Sequence, residues 1–157
     1  MNQVVVKQEK SGYQIVEAYK SLRTNLQFCG EDKKVIAITS CTPNEGKSSV
    51  SMQLGISLAE IGKRVILIDA DLRKSVLLGR TKTEKSVRGL AHFLSGQASL
   101  EDVICATNIK NFYMIYSGPF PPNPAELLGG KNFRSLLNAL RKAVSYTHLT
   151  LPTNSRV

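Results

Sequence analysis

The sequence is poor in cysteine and histidine, and this excludes several kinds of site. Its three cysteines, Cys29, Cys41 and Cys105, are odd in number and widely spaced, and no Cys-x-x-Cys pair is present. This usage argues against a disulfide framework and a cysteine zinc site, and it fits a reducing cytosol. Because the two histidines lie far apart, we interpret His92 as a helix cap or surface residue rather than a metal ligand.

The chain also lacks a long apolar run. No stretch reaches the roughly 18 apolar residues that indicate a membrane-spanning helix. The first residues, 1–7, contain neither a long apolar segment nor a small-residue cleavage site, so we expect no signal peptide there. At 157 residues the chain fits one α/β domain better than two.

Acidic residues are few relative to basic ones, and the formal net charge is +9. The positive residues are scattered, and aromatic residues do not alternate with them as in proteins that stack nucleic-acid bases. We therefore favour a solvated surface that attracts nucleotide over direct binding of membrane or nucleic acid. No nucleic-acid partner is expected.

The most informative segment is a phosphate-binding loop. The apolar run 35–39 is followed by the loop 40–47, which ends in Gly46-Lys47-Ser48 before a helical pattern. Backbone N–H groups of such a loop surround phosphate oxygens, and the helix N-terminus adds positive potential. Lys47 would contact the outer phosphates, and the Ser48 hydroxyl would bind Mg²⁺. Cys41 stands where the usual motif has its first glycine, so the match is incomplete.

The nucleotide-binding residues that this motif predicts form one continuous segment. They are Thr42, Pro43, Asn44, Glu45, Gly46, Lys47, Ser48 and Ser49.

A second segment places two carboxylates after a strand. The apolar run 65–68 ends in Asp69-Ala70-Asp71. Aspartate is depleted inside strands, and open α/β sheets bind ligands at the carboxyl ends of their strands. We therefore predict an acidic metal or base site beside the phosphate loop, on a neighbouring parallel strand.

Apolar periodicity, together with the glycine and proline residues that end helices and strands, predicts the remaining elements. We interpret residues 1–12 as loosely ordered. The predicted helices are 14–28, 48–61, 89–94, 99–104, 124–128 and 132–142, and the predicted strands are 35–39, 64–68 and 112–116.

These motifs together resemble the bacterial tyrosine kinases of capsule and exopolysaccharide synthesis. The resemblance runs from about residue 14 to 142 and includes the pattern Glu17 to Asn25, the two motifs above, Gly89 to Gly96, and Gly118 to Leu128. It implies a P-loop NTPase-like parallel sheet flanked by helices, with an N-terminal helix before the first strand. Residues 1–143 would be the N-terminal part of this kinase or ATPase domain, which would be incomplete.

The resemblance implies an ATP-dependent, autophosphorylating protein-tyrosine kinase that regulates polysaccharide polymerisation and export. ATP would be the phosphoryl donor and Mg²⁺ the metal. Asp69 would activate the acceptor tyrosine, Lys47 would act with it in catalysis, and Asp71 would hold Mg²⁺ together with Ser48. The partners would be a membrane-spanning activator and protein tyrosine substrates, and the location would be the inner face of the cell membrane.

The resemblance also implies self-association through the helix 14–28. In the family this helix carries Glu-x-x-Arg-x-x-Arg, and here the pattern is Glu17, Lys20 and Arg23. Lysine in place of the first arginine can keep an ion pair but not bidentate geometry.

The C-terminal stretch departs from the family. A strand with a third aspartate before Pro-Pro, and a later tyrosine-rich tail, would follow residue 142, and neither is present. Residues 144–157 resemble a translated cloning junction, and we interpret them as a non-native tail.

Two other functions remain open. One is a partition or septum-positioning ATPase switch, although such proteins carry a lysine at the position of Thr42. The other is a truncated nucleotide-binding module without catalysis, because phosphoryl transfer depends on Mg²⁺ positioning and the third acidic motif is missing.

Overall fold

The structure is a computed structural model that describes residues 1–8, 10–83 and 86–151. Within these residues the chain forms seven strands and six α-helices. The strands are β1 (Asn2–Val6), β2 (Val35–Ile38), β3 (Val65–Asp69), β4 (Thr81–Lys82), β5 (Cys105–Thr107), β6 (Phe112–Ile115) and β7 (Tyr146–Thr150). The helices are α1 (Tyr13–Phe28), α2 (Lys47–Glu60), α3 (Leu90–Leu94), α4 (Leu100–Val103), α5 (Pro124–Gly129) and α6 (Lys131–Ala143).

The strands form one mixed sheet in the order β2-β7-β3-β6-β5-β1-β4. β2, β7, β3 and β6 are parallel, β5 runs antiparallel to β6, and β4 runs antiparallel to β1. The predicted fold class, a parallel-type sheet flanked by helices, is confirmed. The sheet is less uniform than predicted, because a parallel part carries an antiparallel extension on one side.

The strands that carry the two motifs are not neighbours, and this corrects the sequence-based prediction. β7 lies between β2 and β3 and is paired in parallel with both. The sequence pattern could not reveal this because β7 comes last along the chain, and residues 144–157 were interpreted as a tail outside the domain. In the structure, Thr150 pairs with Ile38 on one side and with Asp69 on the other.

Alternation along the central strand β3 produces two cores. Val65 and Leu67 pack with α2 on one face of the sheet, while Ile66 and Ile68 pack with α3 and α6 on the other. All five residues of β3 are buried. A strand covered by helices on both faces is apolar throughout, which is why β3 reads as a continuous run.

The motif-bearing elements agree with the sequence to within a few residues, whereas the short strands were missed. Residues 1–12 were interpreted as loose, yet β1 occupies Asn2–Val6 and buries Val4 and Val6. β1 is held by its pairing with β4 and β5, whose paired residues lie about 80 and 100 positions further along the chain, respectively. A two- or three-residue strand carries too little periodicity to be recognised alone.

The apolar residues of α1 do not form one buried face. Tyr19 and Leu26 pack on the core, but Ile15 and Leu22 are exposed, and no residue of the helix is fully buried. α1 is fixed to α2 by the Arg23 guanidinium, which donates to the Ser57 carbonyl oxygen at 2.7 Å and to its hydroxyl at 3.1 Å. α1 is therefore a peripheral helix that exposes several apolar side chains.

Two glycines of the family pattern meet in the fold. A Cβ on Gly89 would lie 2.3 Å from the backbone nitrogen of Gly118, and Gly118 itself has φ +80°. The approach lets the N–H groups of Leu90 and Ala91 donate to the carbonyls of Tyr116 and Ser117, at 2.6 and 2.9 Å. These bonds fix the start of α3 to the segment that leaves β6.

The central strand β7 buries polar side chains. His148 is fully buried, and within residues 1–8, 10–83 and 86–151 neither of its ring nitrogens nor the Thr147 hydroxyl makes a hydrogen bond of normal geometry, although the Ser51 backbone lies close enough to His148 to oppose its pKa shift. Burial lowers the pKa of His148 to about 4. Each unpaired buried polar group costs about 1–3 kcal/mol of folding free energy.

We therefore expect His148→Ile to raise the free energy of unfolding by about 1–3 kcal/mol at neutral pH. The folded pKa of His148 lies below its unfolded value of about 6.5, so the unfolded chain binds the extra proton. Stability from the neutral imidazole is complete above pH 6.5 and is lost as the pH falls toward 4. Denaturant unfolding from pH 4 to 8 should show a shallower acid dependence in the variant.

The other histidine provides the control. The Nδ1 atom of His92 accepts a hydrogen bond from the Gly89 N–H at 3.0 Å, so His92→Ile removes a made bond and should destabilise the chain. Equal effects of the two substitutions would contradict the assignment of His148 as an unpaired buried group.

Candidate functional site

The loop between β2 and α2 has the backbone of a phosphate-binding turn. Asn44 and Gly46 both lie in the left-handed region, with φ of 63° and 82°. Asparagine and glycine are the residues that accept this conformation most readily. Alternation of left- and right-handed residues turns successive N–H groups toward one side, which produces an anion-binding concavity. α2 begins at Lys47, immediately after Gly46.

Glu45 is hydrogen-bonded to the backbone of its own loop. Its carboxylate accepts hydrogen bonds from the N–H groups of Cys41 and Thr42, at 3.1 and 3.3 Å. A hydrogen bond with the Thr42 side chain, together with these backbone bonds, holds the pKa of Glu45 below its usual value. Glu45 and Thr42 therefore stabilise the first half of the loop.

Lys47 and Asp71 form an ion pair across the site. The Lys47 ammonium lies 3.2 Å from Asp71 Oδ2, and the two side chains are only 9% and 11% exposed. The other oxygen of Asp71 accepts the N–H groups of Arg73 and Lys74, at 3.4 and 3.0 Å. The structure thus brings together one residue from each of the two sequence motifs.

Asp69 is held beneath this pair. It is 2% exposed, and its Oδ1 accepts the Asp71 N–H and the Thr150 hydroxyl, each at 3.2 Å. Its Oδ2 accepts the hydroxyl of Ser75. Burial raises the pKa of Asp69 to about 6, although these hydrogen bonds oppose the shift. A buried carboxyl with a raised pKa is suited to accept a proton near neutral pH.

A cavity of about 340 Å³ lies over the loop, and most of the site residues predicted from the sequence line it. Its lining contains Pro43, Asn44, Glu45, Gly46, Lys47, Ser48 and Asp71. Thr42, Ser49 and Asp69 do not line it; Ser49 borders a separate cavity, and Asp69 is covered by its hydrogen-bond partners.

Sequence reasoning did not assign three cationic residues of the cavity lining to the site. Arg73, Lys74 and Arg80 line the same cavity, together with Ser40 and Val76. These cations belong to the scattered positive residues that we interpret from the sequence as a solvated surface attracting nucleotide. The available signal was their position directly after the acidic motif, since a loop that leaves the carboxyl end of a strand borders the ligand site.

The donor set fits a nucleotide with a bound magnesium ion. Ser48 and Asp71 place a hydroxyl and a carboxylate in one cavity, and Mg²⁺ prefers oxygen ligands while keeping several from water or phosphate. Four cations, Lys47, Arg73, Lys74 and Arg80, face the same space and suit phosphate groups. No group of three or more His, Cys, Asp or Glu that could hold a metal occurs among the described residues.

Comparison with known proteins places this geometry in a family. Residues 33–144 match the family described as AAA domain. The matched residues include both the phosphate loop and the acidic motif. The chain belongs to the AAA domain family. This family and its structural neighbours are P-loop nucleotide-binding domains, so nucleotide binding is the function that the fold carries.

The sequence relatives of this AAA domain chain include bacterial tyrosine kinases, which confirms the resemblance. The tyrosine-protein kinase CpsD of Streptococcus pneumoniae serotype 4 is 43% identical over 136 residues, which are 87% of this chain and 60% of the relative. The tyrosine-protein kinase YwqD of Bacillus subtilis is 43% identical over 122 residues, 76% of this chain and 51% of the relative. The chain thus spans little more than half the length of the curated relatives it matches.

A solved structure agrees with the sequence relatives. The kinase domain of the Escherichia coli tyrosine kinase ETK matches with a TM-score of 0.82 and 34% identity, over 88% of this chain and 55% of that one. Among the described residues, no helix is both long enough and apolar enough to cross a membrane.

Proposed function

We propose that the chain is the nucleotide-binding part of an ATP-dependent protein-tyrosine kinase that regulates capsular or exopolysaccharide polymerisation and export. The observation that carries the proposal is the cavity over the N-terminus of α2. There the phosphate loop, Asp71 and four cations face one space. Relatives with 43% identity that are named tyrosine-protein kinases support the choice of phosphoryl acceptor.

Each residue of the site then has a distinct task. Lys47 and the loop N–H groups bind the phosphates of ATP, and Ser48 and Asp71 hold Mg²⁺, which neutralises phosphate charge when bound. Asp69 accepts the proton of the tyrosine hydroxyl. Since Asp69 is 2% exposed beneath Ser75 and Thr150, the segment that carries Ser75 must shift before a substrate hydroxyl can reach it.

Partners and location follow from the same proposal. The chain would lie at the inner face of the cell membrane, beside a membrane-spanning activator of polysaccharide synthesis, and would phosphorylate tyrosines of itself and of other proteins.

The first test removes the lysine of the loop. We expect Lys47→Met to lower the affinity for a fluorescent ATP analogue with Mg²⁺ by at least about tenfold, because a charge-assisted hydrogen bond to phosphate is lost. Titration by fluorescence anisotropy measures the affinity directly. Lys33→Met is the matched control, since Lys33 is exposed and paired with Asp32 outside the cavity. Equal loss in both variants, or no loss in either, would remove Lys47 from the site.

The three candidate functions give different products with ATP. A kinase yields phosphotyrosine, detected by mass spectrometry after incubation with Mg·ATP and the cytoplasmic part of the activator. A partition-type switch yields ATP-dependent dimers without phosphotyrosine, and a module without catalysis yields binding alone.

The partition-type switch is retained as a second candidate function because of one structural similarity. The septum site-determining protein MinD of Pyrococcus horikoshii matches with a TM-score of 0.64 and 25% identity over 78% of this chain and 50% of that one.

We also propose that the chain self-associates through α1. α1 exposes Tyr13, Ile15, Val16, Leu22 and Phe28, with Phe28 85% exposed. Large exposed apolar areas mark protein–protein contacts. Of the charged pattern, Glu17 and Lys20 pair with each other at 3.0 Å, while Arg23 is engaged with α2.

Self-association through α1 predicts that a charge placed among its exposed apolar residues changes the oligomeric state. Leu22→Glu should shift the chain toward the 17.2 kDa monomer, because it places a charge in the contact. Sedimentation velocity measures the distribution of species. Gln97→Glu adds the same charge at an exposed position outside α1 and should leave the distribution unchanged. If both variants sediment like the wild type, α1 is not the contact.

A further inference from the structure

Arg80 is a cation of the phosphate cavity that belongs to neither sequence motif. It lines the cavity together with the loop residues and Asp71. None of the ion pairs within residues 1–8, 10–83 and 86–151 includes Arg80, so its charge is available to a phosphate group. An arginine side chain is long and has many rotamers, and it binds phosphate well only when its backbone holds it at the correct distance.

The turn that carries Arg80 has little support of its own. It is a single 3₁₀ turn, Leu78–Arg80, in which the Arg80 N–H donates to the Leu77 carbonyl at 3.0 Å. Such short turns have poor hydrogen-bond geometry. Leu77 is buried before the turn, but Leu78 inside it is 55% exposed and contributes little packing. The position of the turn therefore depends on its contacts with the rest of the molecule.

Two buried hydroxyl groups connect this turn to the core. The Tyr116 hydroxyl lies 2.6 Å from Thr81 Oγ1, and the two residues are 3% and 6% exposed. Thr81 Oγ1 in turn lies 3.2 Å from the Leu78 carbonyl oxygen. Because a hydroxyl has one proton, Thr81 donates to one of these oxygens only. Both protons are used when Tyr116 donates to Thr81 and Thr81 donates to Leu78.

Tyr116 is the fixed end of this hydroxyl chain. It directly follows β6, its side chain belongs to the core that packs on α2, and its carbonyl accepts the Leu90 N–H at 2.6 Å. Burial raises the pKa of Tyr116 to about 12, so its hydroxyl keeps the proton and remains a donor at neutral pH. The turn has one further support, at its other end, where the Lys7 N–H donates to the Arg80 carbonyl at 3.3 Å.

We propose that Tyr116 and Thr81 are positioning residues that hold Arg80 where it binds a phosphate group of the nucleotide. This inference rests on the proposed nucleotide-binding function and adds two residues to it, neither of which lines the phosphate cavity. Without the hydroxyl chain the Leu78 carbonyl loses its tie to the core, and the turn is free to shift. A displacement of about 1 Å is enough to weaken a charge-assisted hydrogen bond between Arg80 and phosphate.

The first experiment removes the phenol oxygen alone. We expect Tyr116→Phe to weaken binding of the fluorescent ATP analogue with Mg²⁺ by roughly three- to tenfold in anisotropy titrations, as for the loss of one hydrogen bond. Tyr113→Phe is the matched control, since it removes a phenol oxygen from β6 outside the cavity and should leave the affinity unchanged. Circular dichroism melting establishes that both variants are folded.

A double-mutant cycle with Arg80 separates positioning from general stability. We expect Arg80→Gln to weaken binding by about tenfold, because it removes the charge-assisted bond to phosphate. If Tyr116 acts through Arg80, adding Tyr116→Phe to Arg80→Gln should weaken binding by less than about twofold further. An effect of Tyr116→Phe that is as large in the Arg80→Gln background as in the wild type would show a merely structural role and overturn the inference.

Substitutions of Thr81 test the middle of the hydroxyl chain. Thr81→Val keeps the shape of the side chain but removes both hydrogen bonds, so it should weaken binding at least as much as Tyr116→Phe. Thr81→Ser keeps the hydroxyl and should bind as the wild type does. Equal affinities of folded Thr81→Val and Thr81→Ser would contradict the inference.

Failure of the inference can be distinguished from failure of the proposed function. If Lys47→Met weakens binding while Arg80→Gln and Tyr116→Phe do not, the inference fails and the proposed function stands. If the wild type does not bind the ATP analogue, the proposed function fails and the inference fails with it.

Discussion

The geometry of the site depends on the double pairing of β7. This strand is hydrogen-bonded in parallel to the phosphate-loop strand β2 and to the acidic strand β3, so it fixes the separation of the two motifs. Neighbouring strands lie about 4.8 Å apart, which puts the ends of β2 and β3 roughly 10 Å from each other. The long side chain of Lys47, at the start of α2, spans enough of this distance to reach Asp71. Without a strand between β2 and β3, neither the ion pair nor the cavity would have its present shape.

β7 is also the strand whose residues suit their position least. β3 beside it is apolar up to Asp69, whereas β7 buries Thr147 and His148, whose side-chain polar atoms make no hydrogen bond of normal geometry in the described part of the chain. A strand in the middle of a parallel sheet has helices on both faces, and a polar side chain there has no water to bind. The interpretation of 144–157 as a non-native tail stays a prediction; residues 152–157 lie outside the described residues.

The elements that sequence predicted well are those whose own residues decide their structure. α2 and β3 carry a loop motif, a glycine stop and a continuous apolar run, and they were placed to within about two residues. β1 and β7 depend on partners far away in sequence, and their residues alone did not indicate strands. The same distinction holds in the site. Local motif spacing indicated Lys47, Ser48 and Asp71, but Arg80 borders the phosphate cavity only because of a turn that joins two strands of the sheet.

The two aspartates of the acidic motif have the same side chain but lie in different environments. Side chains alternate between faces along an extended segment, so Asp69 and Asp71 could have shared one surface of the strand end. The backbone turns after β3, and the N–H of Asp71 donates to Asp69 at 3.2 Å. Asp71 therefore lines the cavity and faces Lys47, while Asp69 lies beneath it among hydroxyl groups. Burial favours the protonated form of Asp69, whereas Asp71 forms an ion pair with the Lys47 ammonium. This difference supports assigning proton transfer to Asp69 and cation binding to Asp71, because each group is held in the environment that its role requires.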